Sequence, residues 1–193
     1  MKITPVKLVG ERVILLPMEI HHAEDLFNAG NSAEIWAYMP MKVESIEDMK
    51  GLVDKALQAR EQGTEFPFVI FDKKLRKIVG STRFLDISTH DKSLEIGWTW
   101  LSPVVWKTRV NTECKYLLLK HCFEILQAIR VQIKTDGRNI RSQQAIERIG
   151  AVKEGVLRQH RILPDGFVRD SVYYSVIDRE WVKVKERLES MLS

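Results

Sequence analysis

From Cys114 onward the apolar residues recur at helical spacing: Cys114, Leu117, Leu118, Cys122, Ile125, Leu126 and Ile129. This predicts a long amphipathic helix entered through the loop Lys107–Thr112. The stretch before it, Ser93–Leu101, alternates as a strand does. Leu94, Ile96, Trp98 and Trp100 are predicted on one face, and Glu95, Gly97 and Thr99 on the other. Arg130–Thr135 alternates again. After Asp136-Gly137, the residues Asn139-Ile-Arg-Ser142 open a short helix that Gly150 closes. The centre of the chain therefore reads strand, loop, helix, strand, short helix.

The flanks follow the same two periods. Lys7–Pro17 reads as a first strand, and Glu19–Asn28 as helical, with Ala23, Leu26 and Phe27 on one face. Asn31 or Ser32 can cap a short helix through Ile35, Trp36 and Met39, ended by Pro40. Ser45-Ile-Glu-Asp48 has the form of a capping box. A helix to about Arg60 follows, its inner face Met49, Leu52, Val53, Ala56 and Leu57, with Gly63 as its stop. Phe66–Phe71 and Lys77–Leu85 form a predicted hairpin. Val152–Leu163 and Phe167–Ile177 form a second one around Pro164-Asp-Gly166. A closing helix, Asp178 to about Met191, turns Trp181, Val184, Leu188 and Met191 inward. Together these elements predict an α+β fold with a mixed, mostly antiparallel sheet flanked by helices.

Composition narrows the class. A chain of 193 residues is expected to be a single domain, residues 1–193, with a core large enough to need neither disulfide nor metal. No apolar run approaches the ~20 residues that span a bilayer, and Met1-Lys-Ile-Thr-Pro5 is no secretory segment. The two cysteines, Cys114 and Cys122, lie eight apart on one helix. At about 1.5 Å rise per residue they are too distant to bridge, so buried thiols in a cytoplasmic protein are expected. The net charge of +4 is spread out, with a mild basic concentration from Lys134 to Arg169. That distribution could serve cofactor phosphates or nucleic acid, and a solvated surface accounts for most of it; no nucleic-acid motif accompanies it.

The loop–helix corner at Lys107–Thr112 has the makings of an anion site. The first amides of a helix lack intrahelical partners and sit at the positive end of its dipole. This corner, with Leu94-Glu-Ile-Gly97, Pro103-x-x-Trp106, Thr112-Glu113, Asn139-Ile-Arg-Ser142, Ile149-Gly-Ala151, Glu154-Gly155, Arg158, Asp165-Gly166, Tyr173-Tyr-Ser175 and Glu180-Trp181, resembles the GNAT superfamily of N-acetyltransferases, and within it the RimJ/RimL type. The resemblance runs from about Val9 to Trp181.

The resemblance implies the GNAT fold, in which strands beside the loop splay apart and acetyl-CoA enters the gap. It implies acetyl transfer to a primary amine, either a polypeptide N-terminus or a small amine, with no metal. It also implies a cofactor set of Leu101, Lys107, Thr108, Arg109, Val110, Asn111, Thr112, Asn139, Arg141 and Ser142, and a homodimer is a further expectation. One departure stands out. Relatives usually carry small residues where this chain has Arg109 and Asn111. Arg109 could reach the pyrophosphate and Asn111 could cap the helix. Alternatively, the chain keeps the fold and binds acyl-CoA weakly or not at all.

Amine acetylation needs a base for the amine proton, a donor for the thioester oxygen and an acid for the leaving thiolate. Glu95 is the expected base, directly or through water; a carboxylate paired with a neighbouring strand's cation is the alternative. Ser142 and Tyr173 compete for the acid role. Asn139 suits pantetheine or a helix cap, and Arg138 and Arg141 the nucleotide phosphates or solvent. His160, in Arg158-Gln-His-Arg161, is a further candidate base. Residues 31–41 correspond to the family's acceptor region and name no substrate.

Overall fold

The computed structural model describes Met1 and residues 3–193. Eight strands form one sheet in the order β1-β2-β3-β4-β5-β6-β8-β7. They are β1 (Leu8–Val9), β2 (Val13–Pro17), β3 (Phe66–Asp72), β4 (Lys77–Ser88), β5 (Ser93–Leu101), β6 (Arg130–Asp136), β7 (Val152–Ile162) and β8 (Val168–Ile177). The helices are α1 (Ala23–Ala29), α2 (Ala33–Trp36), α3 (Ile46–Glu61), α4 (Val110–Lys120), α5 (Ile140–Arg148) and α6 (Trp181–Leu192). β5 and β6 run parallel, and the other neighbouring pairs are antiparallel.

Both sheet faces bury apolar side chains, but not to the same extent. One face packs along its length against α4 and α6: Phe68, Phe84, Ile96, Val131, Tyr174 and Val176 meet Leu118, Trp181 and Leu188 there. The other face is covered over β2–β5 by α1–α3, through Leu26, Trp36, Met49, Val53 and Trp100. Ser45 does build the expected capping box. Its hydroxyl accepts the Asp48 amide at 3.1 Å, and the Asp48 carboxylate accepts the Ser45 amide at 2.9 Å.

Three expectations change. The strand Lys7–Pro17 is a hairpin, because Gly10 turns the chain and its amide meets the Val13 carbonyl at 2.8 Å. The buried Glu113 carboxylate fills the space beside this turn and accepts the Arg12 amide at 2.9 Å. A Cβ on Gly10 would lie 2.1 Å from that carboxylate, so a larger residue there would have to displace the Glu113 side chain.

The helix after the loop is shorter than its apolar repeat predicts. Past Lys120 the chain takes one wide π turn, His121–Ile125, where the Leu126 amide reaches back five residues to the His121 carbonyl. The extra residue shifts the phase, so Ile125 ends 69% exposed and Ile129 is also exposed, whereas Cys122 stays in the core.

The third change is in β5. Trp98 adopts φ +50°, and the register to β4 skips between Arg83↔Gly97 and Ser81↔Trp100. This bulge puts two residues where alternation allots one. Beyond it the faces exchange: Trp100 joins the α1–α3 core, while Leu94 and Ile96 pack on the α4 side.

Candidate active site

β5 and β6 pair over three residues only, from Ser93↔Arg130 to Glu95↔Gln132. Beyond Glu95 they separate, and the remainder of β5 and Ile133–Asp136 become the arms of a fork. This is the splayed gap the resemblance implies. The chain runs from the β5 arm through residues 102–109 into α4, and from the β6 arm through residues 137–139 into α5.

At the α4 corner the left-handed residue is Lys107, with φ +58°. Arg109 has helical dihedrals, φ −70° and ψ −6°, so its side chain adds no backbone strain there. The guanidinium does not line the corner. It donates to the Glu11 carboxylate and, at 3.1 Å, to the Leu192 carbonyl at the end of α6. Asn111 is not the helix cap either; it occupies the second helical position. The oxygen nearest to a capping role is the Thr108 hydroxyl, 3.4 Å from the Val110 amide and donating to the Val105 carbonyl at 2.7 Å. Among the described residues no protein acceptor takes the Asn111 or Thr112 amide.

Across the mouth, Arg141 of α5 lies over the Trp106 ring at 3.9 Å, and the Trp106 indole donates to the Leu101 carbonyl at 2.7 Å. Leu101, the loop and α5 are thereby tied together through side chains. Asn139 caps α5, its side-chain oxygen accepting the Ser142 amide at 3.0 Å. Arg138 pairs with Asp136 at 2.9 Å and stacks 3.5 Å from the Phe167 ring. Two open cavities, of about 350 and 530 Å³, lie elsewhere: between β1, α4 and α6, and beside the N-terminal segment.

Glu95 sits at the root of the fork, 1% exposed. Its Oε2 accepts from Lys134 Nζ at 2.9 Å and from Gln132 at 2.7 Å. The neighbouring-strand cation weighed as an alternative role for Glu95 is thus present. The second oxygen, Oε1, has no protein partner among the described residues and faces Gly97, where a Cβ would come within 2.8 Å of it. Glycine at 97 therefore keeps the space above this oxygen open. Burial raises the Glu95 carboxyl above its usual range, and Lys134 and Gln132 pull only partly the other way.

Beyond Lys134 a row of polar groups continues over β6, β8 and β7. Tyr173 pairs with Lys134 across the strands. The Tyr173 hydroxyl lies 3.5 Å from His160 Nε2, and His160 Nδ1 lies 2.9 Å from the Ser171 hydroxyl. Burial, with Arg161, Lys134 and Arg169 nearby, lowers the His160 pKa and favours its neutral ring. Arg169 donates to the Ser171 hydroxyl at 3.3 Å and to the Tyr38 carbonyl at 3.1 Å, which brings residues of the 31–41 stretch against this row. Glu95, Tyr173 and His160 thus share one face. Ser142 enters from α5, and its amide is occupied by Asn139. Lys134 and Gln132 were not singled out from the sequence. Their only signal was a strand register with Glu95, which alternation within β6 alone does not supply.

A family model for the acetyltransferase (GNAT) domain matches residues 12–152. The chain belongs to the GNAT acetyltransferase family. Its members are acyl-CoA N-acetyltransferases. The ribosomal-protein-serine acetyltransferase of Escherichia coli (strain K12) is 26% identical over 176 residues, covering 89% of this chain and 97% of that protein. A T. thermophilus structure, whose own acetyltransferase assignment is provisional, is 36% identical with a TM-score of 0.90, covering 100% of both chains. Mycobacterium smegmatis RimJ, solved with CoA-disulfide, shares the fold at a TM-score of 0.84 and 19% identity, covering 97% of this chain and 95% of that one. No helix among the described residues is long and apolar enough to cross a membrane.

Proposed function

We propose that this GNAT enzyme transfers the acetyl group of acetyl-CoA to a primary amine, on a polypeptide N-terminus or a small molecule, within the β5–β6 fork. The observation that carries this reading is the fork itself: its root holds a buried carboxylate with one unpartnered oxygen, and its mouth holds unpaired helix amides. The residues fit the cofactor. The amides of Val110, Asn111 and Thr112, with Lys107 and Thr108, form a positive corner for a diphosphate. Asn139, Arg141, Ser142 and Leu101 border the route from that corner into the fork. Arg109 serves the fold through Glu11 and Leu192, so the missing small residues do not block the corner.

In this reading Glu95 Oε1 receives the amine proton, directly or through a water, while Lys134 holds Oε2 in place. The amine nitrogen bonds to the acyl carbon as the carbon–sulfur bond breaks. Ser142 or Tyr173 supplies a proton to the departing sulfur, and His160 beside Tyr173 can restore it. The acceptor lies on the polar face of β6 and β8, near residues 31–41. The E. coli relative, named as a ribosomal-protein-serine acetyltransferase, supports a protein as one acceptor class.

Calorimetric titration with acetyl-CoA, followed by a thiol-release assay over a panel of amines and peptides, tests the proposal. Saturable heat and turnover on at least one acceptor are expected. No heat and no turnover would overturn it.

A further inference from the structure

Lys115 is the second-turn lysine of α4. It is 5% exposed, on the face of the helix that meets the sheet. No carboxylate lies within salt-bridge distance of its ammonium among the described residues; its one hydrogen-bond partner is the Thr99 hydroxyl at 2.7 Å. Thr99 in turn shares a 2.8 Å hydrogen bond with the Thr82 hydroxyl of β4. Burying an amine with a single hydrogen-bond partner costs free energy in general, and methionine or leucine would fill the same space without that cost. Burial lowers the lysine's pKa, as expected for such a site.

The lysine is aimed at a particular piece of backbone. Trp98 and Thr99 form the bulge of β5, and neither has a paired residue in β4. β6 has already diverged, since its last pair with β5 is at Glu95. The bend at Trp98–Thr99 therefore borders the fork without a strand partner on either side. What fixes it is side-chain chemistry: Lys115 and Thr82 converging on Thr99 from below, and Trp98 against the Arg83 guanidinium at 4.6 Å from the other face.

The geometry points to Lys115 as a positioning residue for acyl transfer: through Thr99 its buried amine holds the bend at Trp98–Thr99 on the β5 arm of the fork. This rests on the acetyl-CoA reading above. A bend fixed in advance keeps the β5 arm in its working geometry through the reaction, which gives the buried lysine a purpose that packing alone does not.

The test is the carbonyl ¹³C resonance of [1-¹³C]acetyl-CoA bound to wild type, Lys115→Met, Thr99→Ser and Thr99→Val, read beside calorimetric affinity and thermal melting. Lys115→Met is expected to bind acetyl-CoA within about twofold of wild type and to melt at the same or a higher temperature. Its carbonyl resonance should return toward the free value. Its turnover should fall about tenfold on an acceptor the wild type uses, less than the ~100-fold typical of removing a direct donor. Thr99→Ser should keep the wild-type resonance and Thr99→Val should lose it. An unchanged carbonyl resonance in Lys115→Met, or a change that comes only with a lower melting temperature, overturns the inference. If Lys115→Met does not fold, the two Thr99 variants decide, and equal resonances in them overturn it. Absence of acetyl-CoA binding by wild type would instead sink the underlying reading.

Discussion

Along β6 and β8 successive residues occupy two different environments. Val131, Ile133, Val172, Tyr174 and Val176 point into the core beneath α4 and α6. Gln132, Lys134, Ser171, Tyr173 and Ser175, their immediate neighbours, carry hydrogen bonds and charges on the opposite face. That second face is apolar over β2–β5, where α1–α3 cover it, and polar over β6–β8. The same strands thus hold the fold with one set of residues and offer chemistry with the other. The difference shows that a one-residue shift in register would exchange the two sets, so the packing on one face is what orients the groups on the other.

The comparison can be broken most strongly from the core side. Ile133→Ala should cost about 2–5 kcal/mol of stability through the cavity it leaves, measured by denaturant unfolding, with acetyl-CoA affinity of the folded fraction unchanged. Glu95→Gln attacks the other face. It should lower turnover at least about 100-fold while acetyl-CoA affinity stays within about twofold, because a lost general base acts on the chemical step. A comparable loss of cofactor affinity would place Glu95 in binding instead. Tyr173→Phe should reduce turnover about tenfold, the scale of one lost hydrogen-bonding group, with a melting temperature close to wild type. Ser45→Ala, far from the fork, should cost about 1 kcal/mol through the lost cap and leave turnover alone.

pH sharpens the same contrast. For Asp136, burial alone would raise the carboxyl, but the Arg138 guanidinium and amide overcome it and hold it below the usual carboxylate range. Its contribution to stability is therefore present above the ordinary aspartate pKa of about 4 and is lost as pH falls through its folded value. Asp136→Asn should flatten the acid limb of a melting-temperature profile by a small amount. Glu95 shifts the opposite way. Its native form takes up a proton more readily than the unfolded chain does, so its stabilising contribution is complete at low pH and declines as pH rises through its folded value. Both carboxylates are buried beside a cation; they differ because the Arg138 guanidinium and amide outweigh burial at Asp136, whereas Lys134 and Gln132 offset it only partly at Glu95.

Much of the fold was legible because it rests on local periods. The central strand–loop–helix–strand unit, both long hairpins and the Ser45 capping box need only alternation, helical spacing and turn chemistry, and they stand where those patterns place them. What failed were the turn at Gly10 inside the first strand and two places where one residue is inserted into a regular period. The bulge at Trp98 and the π turn at His121–Ile125 each shift the phase of everything after them. Trp100 and Ile125 accordingly end on faces their spacing does not predict.

The candidate site divides the same way. Glu95 stood out in the sequence as a charge on an otherwise apolar strand, and Asn139 and Ser142 as a helix opening. That Arg109 turns to Glu11 and Leu192, across more than eighty residues of chain in each direction, followed from no local pattern. Nor did the pairing of Glu95 with Lys134 or of Lys115 with Thr99. By itself the sequence determined which segments become strands and helices, since those preferences act between residues a few positions apart. Only the tertiary structure decided which charges are partnered, which stay unpaired and where the sheet opens, because these depend on strand register and burial that distant segments impose together.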